Sequence, residues 1–103
     1  MRSIVLVKLG DKARPALVMT RTVAIPYLNQ VTVAPVTSTV RGIGSEVRLG
    51  PPNGLDHECV ASCDTIVSVP AELMGETVGF LLDSQEPELA QAISHAFDLG
   101  GRS

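Results

Sequence analysis

The chain has 103 residues, 45% apolar and 3% aromatic, with no tryptophan and a formal net charge of −3. That length allows one domain with a single modest core. The longest apolar runs, such as Ile4–Val7 and Phe80–Leu82, are far too short to span a bilayer, and no signal peptide is evident, so a cytoplasmic protein is expected.

Ser3–Leu9 reads as a first strand, with Ile4, Val5, Leu6 and Val7 largely buried. Gly10–Ala13 is expected to be a short surface turn, and Pro15–Thr20 a second strand. Pro15 would then hold its first position, where a missing amide is tolerated, leaving Arg14 at the strand's mouth. Residues 21–30 form a connector broken by Pro26 and Asn29. Val31–Thr37 is a third strand, in which Pro35 implies an edge or a bulge. Its far end delivers Thr37, Ser38 and Thr39, with Arg41 just beyond, to one place.

Gly42 and Gly44 mark a turn, and Glu46–Leu49 alternates as a short strand. Residues 50–54, Gly-Pro-Pro-Asn-Gly, are the strongest turn signal in the chain. Glu58–Cys63 and Thr65–Val69 read as further strands, Pro70–Met74 as a helical turn stopped by Gly75, and Thr77–Leu82 as the last strand. Ser84 is an expected N-cap for a closing helix. Glu86 and Glu88 suit its positive end, and Pro87 fits only in its first turn. Leu89, Ile93 and Phe97, with Ala92 and Ala96, form its apolar stripe, and Gly100-Gly101 its stop. The expected fold is mainly β: a small antiparallel barrel or strongly bent sheet of about five to seven strands with a C-terminal α-helix, spanning residues 1–103 as one domain.

The charge is unevenly spread. Residues 1–48 carry seven basic residues against two acids, and residues 49–103 one against nine. A basic face near the opening strands is expected unless the two halves interleave in space. The surplus of apolar residues points to an oligomer or partner interface. Cys59 and Cys63, four residues apart on an expected strand, lie beyond disulfide reach and read as buried free thiols.

Metal chemistry and cofactors are not expected. His57 and His95 lie far apart in sequence, and Asp56, His57 and Glu58, placed on a strand, would point to alternating faces. A Ser-His-Asp arrangement finds no serine in a nucleophile elbow, and no phosphate-binding glycine loop is present. What remains is anion chemistry. Arg14 offers a forked donor suited to phosphate, and Thr37 a hydroxyl that can orient a phosphate oxygen. If RNA is the substrate, its own 2′-hydroxyl can be the nucleophile, and the protein must stabilise charge and move two protons. Glu46 and Asp64 are the acids nearest in sequence to these strand ends.

Several segments resemble the MazF/PemK/Kid family of toxins from type II toxin–antitoxin pairs. They are residues 12–20 (Lys-Ala-Arg-Pro-Ala-Leu-Val-Met-Thr), residues 31–42 through the Thr-Val-Arg-Gly turn, and Glu46-Val47. Asn53-Gly54-Leu55-Asp56, residues 60–64 and the ending 96–99 follow in the same order. The resemblance implies an SH3-like barrel that forms a homodimer. It also implies a metal-independent endoribonuclease that cuts single-stranded RNA at short sequences, leaving 2′,3′-cyclic phosphate and 5′-hydroxyl ends. By the same likeness Arg14 and Thr37 would be catalytic. Ser38, Thr39, Arg41, Glu46 and Asp64 would bind RNA, Ser38 and Arg41 from the groove-lining loop and Asp64 as the match to an acid near the scissile site. The implied partner is a MazE-like antitoxin binding through a disordered C-terminal segment.

Two departures stand out. Ser62 occupies a place where some members have arginine, and the first loop is shorter than usual. A gyrase-poisoning toxin of the CcdB kind and an inactive SH3-like interaction module are the alternatives. The Arg14/Thr37 pair favours the nuclease.

Overall fold

The structure, a computed structural model, describes residues 2–99. Seven strands form one curled antiparallel sheet, a half-barrel: β1 (Ser3–Leu9), β2 (Lys12–Val18), β3 (Gln30–Thr37), β4 (Glu46–Leu49), β5 (Cys59–Ser62), β6 (Val67–Pro70) and β7 (Met74–Phe80). One helix, α1 (Glu86–Phe97), follows. The sheet order is β4-β5-β3-β2-β1-β7, with β6 also paired to β3.

The long apolar runs are explained by burial on both faces of the sheet. Ile4, Leu17, Ala34, Val47, Leu49 and Ala61 turn to one side, where Leu81 and the helix residues Leu89 and Ala92 cover them. Val5, Val7, Ala16, Val18, Val31 and Val33 turn to the other, under Val69, Ile25 and Leu73. Successive residues of a strand alternate faces, so a two-sided core requires unbroken apolar stretches. Full burial of a side chain such as Leu89 contributes about 2 kcal/mol.

β1 and β4 match their expected limits; other boundaries move, for identifiable reasons. β2 begins at Lys12, because Leu9 pairs with Lys12 across the two-residue turn Gly10-Asp11. Gly10 has φ +67, at the place a tight hairpin turn reserves for glycine. Pro15 is therefore inside β2, not at its start. It pairs with Leu6 of β1 but lies one residue beyond the ladder to β3, which begins at Ala16 opposite Pro35.

Pro35 sits neither on an edge strand nor in a bulge. β3 is central, with β2 on one side, and on the other β6 up to Val33 and then β5 from Val36. Pro35 falls in the gap between these two ladders, where no partner needs its amide.

The strand expected over residues 58–63 shortens to β5, and a 3-10 turn (Cys63–Thr65) separates it from β6. The helical turn narrows to Ala71–Leu73. Gly75 lies inside β7 rather than stopping a turn, close under the Leu6 carbonyl. The connector after β2 contains a 3-10 turn, Thr22–Tyr27.

The helix begins one residue later than a Ser84 cap would place it, after a 3-10 turn at Asp83–Gln85. Gln85 fixes that turn: its Oε1 accepts from the Leu82 amide at 3.1 Å and from Asn53 Nδ2 at 2.7 Å, while its Nε2 donates to the Arg48 carbonyl at 2.9 Å. Asn53, itself 5% exposed, also donates to the Phe80 carbonyl and accepts from the Gly50 amide. Gly79 packs against this knot so closely that a β-carbon there would lie 2.2 Å from the Asn53 carbonyl oxygen. At the far end Asp98, with φ 55, closes the helix as the Leu99 amide donates to Ser94. The expected stop at Gly100-Gly101 lies outside the described residues. Phe97 is not part of the buried stripe, being 54% exposed on the last turn.

Both cysteines are free and buried, as expected. The basic and acidic halves do interleave in part: Arg2 pairs with Glu86 and Arg48 with Glu58. No helix among the described residues is long and apolar enough to cross a membrane.

Candidate active site

The two prolines shape the site. The β2–β3 register runs Val18–Val33, Leu17–Ala34, Ala16–Pro35. Carried two residues further, it sets Arg14 opposite Thr37. No β2–β3 pairing is formed there, since Pro15 brings no amide to continue the ladder. The strands part, and a groove of about 630 Å³ opens between them, lined by Arg14, Thr37, Ser38, Thr39, Asp56 and His57 over a floor that includes Leu55 and Cys59.

Arg14 is exposed and Thr37 half-buried. The Thr37 hydroxyl oxygen accepts from the Thr39 amide at 3.1 Å, which turns the chain and leaves the hydroxyl hydrogen free to donate into the groove. Cys59 is held neutral, its thiol pushed above the usual range first by burial and then by the charge of Asp56. Burial, followed by the charge of Asp64, does the same to Cys63.

Arg14, Thr37, Ser38 and Thr39 thus come together, while Arg41, Glu46 and Asp64 stand outside the groove lining. Both oxygens of Glu46 accept from the Arg41 amide at 3.2 Å, and one also accepts from the Gly42 amide at 2.9 Å. That grip shapes the loop after β3 and leaves the Arg41 residue exposed. Asp64 accepts from the buried Ser45 hydroxyl at 2.5 Å, anchoring the other end of the same loop.

Sequence reasoning missed His57. Read as strand residues, Asp56, His57 and Glu58 would diverge, but Asp56 and His57 lie in the loop before β5. There His57 Nδ1 and Asp56 Oδ1 are 2.6 Å apart, and His57 Nε2 is 2.8 Å from Ser38 Oγ. A Ser-His-Asp row therefore exists without a nucleophile elbow. The turn-rich residues 50–57 were the available signal that His57 is not on a strand. Among the described residues no three His, Cys, Asp or Glu side chains group as metal ligands.

A small curled sheet with one covering helix, and a groove lined by an arginine and hydroxyls where two central strands part, defines a binding or catalytic domain of the SH3-like kind. Residues 2–97 match the family described as PemK-like, MazF-like toxin of type II toxin–antitoxin system, and the chain belongs to that family. It is 53% identical over 89 residues to endoribonuclease MazF3 of Mycobacterium tuberculosis, covering 86% of each chain. It is 34% identical over 86 residues to the probable endoribonuclease MazF5 of the same organism, covering 82% of this chain and 79% of that one. The solved structure of the M. tuberculosis toxin MazF-mt6 superposes with a TM-score of 0.91 at 50% identity, over 97% of this chain and all of the other.

Proposed function

We propose that the protein, an endoribonuclease of the PemK/MazF toxin family, cleaves single-stranded RNA by attack of the substrate's own 2′-hydroxyl. The observation that carries this reading is the cross-strand placing of Arg14 and Thr37 at the parted ends of β2 and β3. The O2′–P bond forms and the P–O5′ bond breaks, giving a 2′,3′-cyclic phosphate and a 5′-hydroxyl. The Arg14 guanidinium, exposed and without an acidic partner among the described residues, stabilises the extra negative charge of the five-coordinate phosphorus. Thr37 donates to a non-bridging phosphate oxygen. Ser38 and Thr39 line the path of the strand, and Arg41 reaches its backbone from the exposed loop. Glu46 and Asp64 act behind them, by fixing that loop.

Inhibition of translation by RNA cleavage in the cytoplasm follows from this reading. A second copy of the chain and an antitoxin are the expected protein partners. Exposed apolar side chains, Tyr27 at 86% and Val23 at 76% among them, offer surface for such contacts. A mycobacterial structure of the same fold is described as an endoribonuclease in complex with its cognate antitoxin. An acidic, apolar antitoxin segment would cover the groove and compete with RNA.

The test is incubation of the purified, antitoxin-free protein with a long single-stranded RNA in EDTA, mapping the 5′ ends of the fragments. Discrete cuts ending in 5′-hydroxyls are expected. No cleavage by folded protein, or 5′-phosphate ends, would overturn the reading.

A further inference from the structure

Arg14, Thr37, Ser38 and Thr39 give the groove a charge stabiliser and hydroxyl donors but no group to take the proton from the attacking 2′-hydroxyl. Threonine is far too weak a base, and arginine stays protonated. The two acids singled out from sequence are engaged elsewhere, Glu46 with the backbone of the loop after β3 and Asp64 with Ser45. The remaining titratable side chains lining the groove are Asp56, His57 and Cys59, and Cys59 is buried with its thiol held protonated.

We propose that His57 is the general base of RNA cleavage, its tautomer set by Asp56; the inference rests on the 2′-hydroxyl mechanism proposed above. An ionised carboxylate can only accept, so the 2.6 Å contact places the hydrogen of the neutral imidazole on Nδ1. Nε2 then carries the lone pair, and in the free protein it accepts the Ser38 hydroxyl hydrogen at 2.8 Å. The ring side chain is 59% exposed, so Nε2 is within reach of a bound strand. Asp56, His57 and Ser38 therefore form a row whose last lone pair faces the groove shared with Arg14 and Thr37. A 2′-hydroxyl displacing Ser38 would find an acceptor already oriented.

The proton of the 2′-hydroxyl passes to Nε2 as the O2′–P bond forms. The P–O5′ bond breaks, and O5′ takes a proton from a water molecule of the open groove. The hydroxide left behind reclaims the proton of the imidazolium, so nothing is consumed. The charged and titratable groups around the ring are Asp56 on its own loop, Arg14 from β2, and Cys59 at the start of β5. Neighbouring Glu58 pairs with Arg48. Ser38 is a positioning residue, holding the ring until substrate arrives.

The experiment compares wild type, His57→Gln and Asp56→Asn in the full-length protein, on an RNA oligonucleotide spanning a mapped cut site. A matching oligonucleotide with a 2′-deoxy sugar at the cut measures binding alone. For His57→Gln, kcat should fall by about 100-fold or more with affinity for the deoxy analogue unchanged. The wild-type rate should fall toward acid pH, and that fall should disappear in this variant. Asp56→Asn should lower kcat less and retain that fall, and free imidazole should restore part of the rate to His57→Ala. His57→Gln within a few-fold of wild type would overturn the inference, as would a loss confined to affinity with the acid-side fall intact. If wild type leaves 5′-hydroxyl ends while His57→Gln cuts as fast, the base assignment alone fails. Wild type leaving other ends would remove the cleavage mechanism itself.

Discussion

Two polar networks at different places in this half-barrel use similar groups for opposite purposes. Around Asn53, five hydrogen bonds tie the turn after β4 to the Phe80 carbonyl and to Gln85, with Asn53 almost wholly buried. Around His57, the row from Asp56 to Ser38 is open to solvent. Buried amides and carbonyls cannot fall back on water, so the first network has one arrangement and fixes the fold. Exposed groups exchange partners with water or ligand at small cost, so the second can hand its acceptor to a substrate. Burial, more than residue type, decides which network builds and which works.

Arg14→Ala separates the two networks most strongly. It should leave the thermal melt unchanged and reduce RNA cleavage by at least about 100-fold, the scale of one lost charge stabiliser of about 3 kcal/mol. Parallel loss of both would show that the groove also builds the fold. Asn53→Ala should do the reverse. It leaves the Gly50 amide and the Phe80 carbonyl without partners and should cost about 2–3 kcal/mol in urea unfolding, with the cleavage rate per folded molecule retained. The smallest effect sharpens the picture of the groove floor. Cys59 and Cys63 have thiols raised by burial above the usual 9.0, so they stay neutral in the folded state while those of the unfolded chain ionise. Their contribution is fully present below that value and lost as pH rises past it. Urea midpoints should decline modestly between about pH 8 and about pH 10, and less so in Cys59→Ala.

What could be read in the chain divides along similar lines. Local signals marked β1 and β4 at their observed limits, and Pro87 with Leu89 placed the helix within two residues. The prolines were legible only as local breakers. That Pro15 and Pro35 lie next to one another across two strands, ending one ladder together, depends on a register no single segment contains. Arg14 and Thr37 came from a family likeness; spacing alone left them a surface charge and a β-former. His57 was unreadable for a related reason. Its partner Ser38 is 19 residues away, and strand alternation extended back from Glu58 turns Asp56 aside.

Strand β3 is bonded to β2, β5 and β6, more neighbours than any other strand has. Local openings of a protein release its edges and turns first, and a strand held on both sides is freed only when the whole molecule comes apart. Thr37 ends that strand beyond its last pair with β2, but its pairing with Val60 of β5 still ties it to the sheet. His57 and Ser38 lie on loops outside every ladder, joined by side-chain hydrogen bonds. The groups proposed to act in one groove would thus be held by different means, one by a strand ladder and the others by side-chain hydrogen bonds alone.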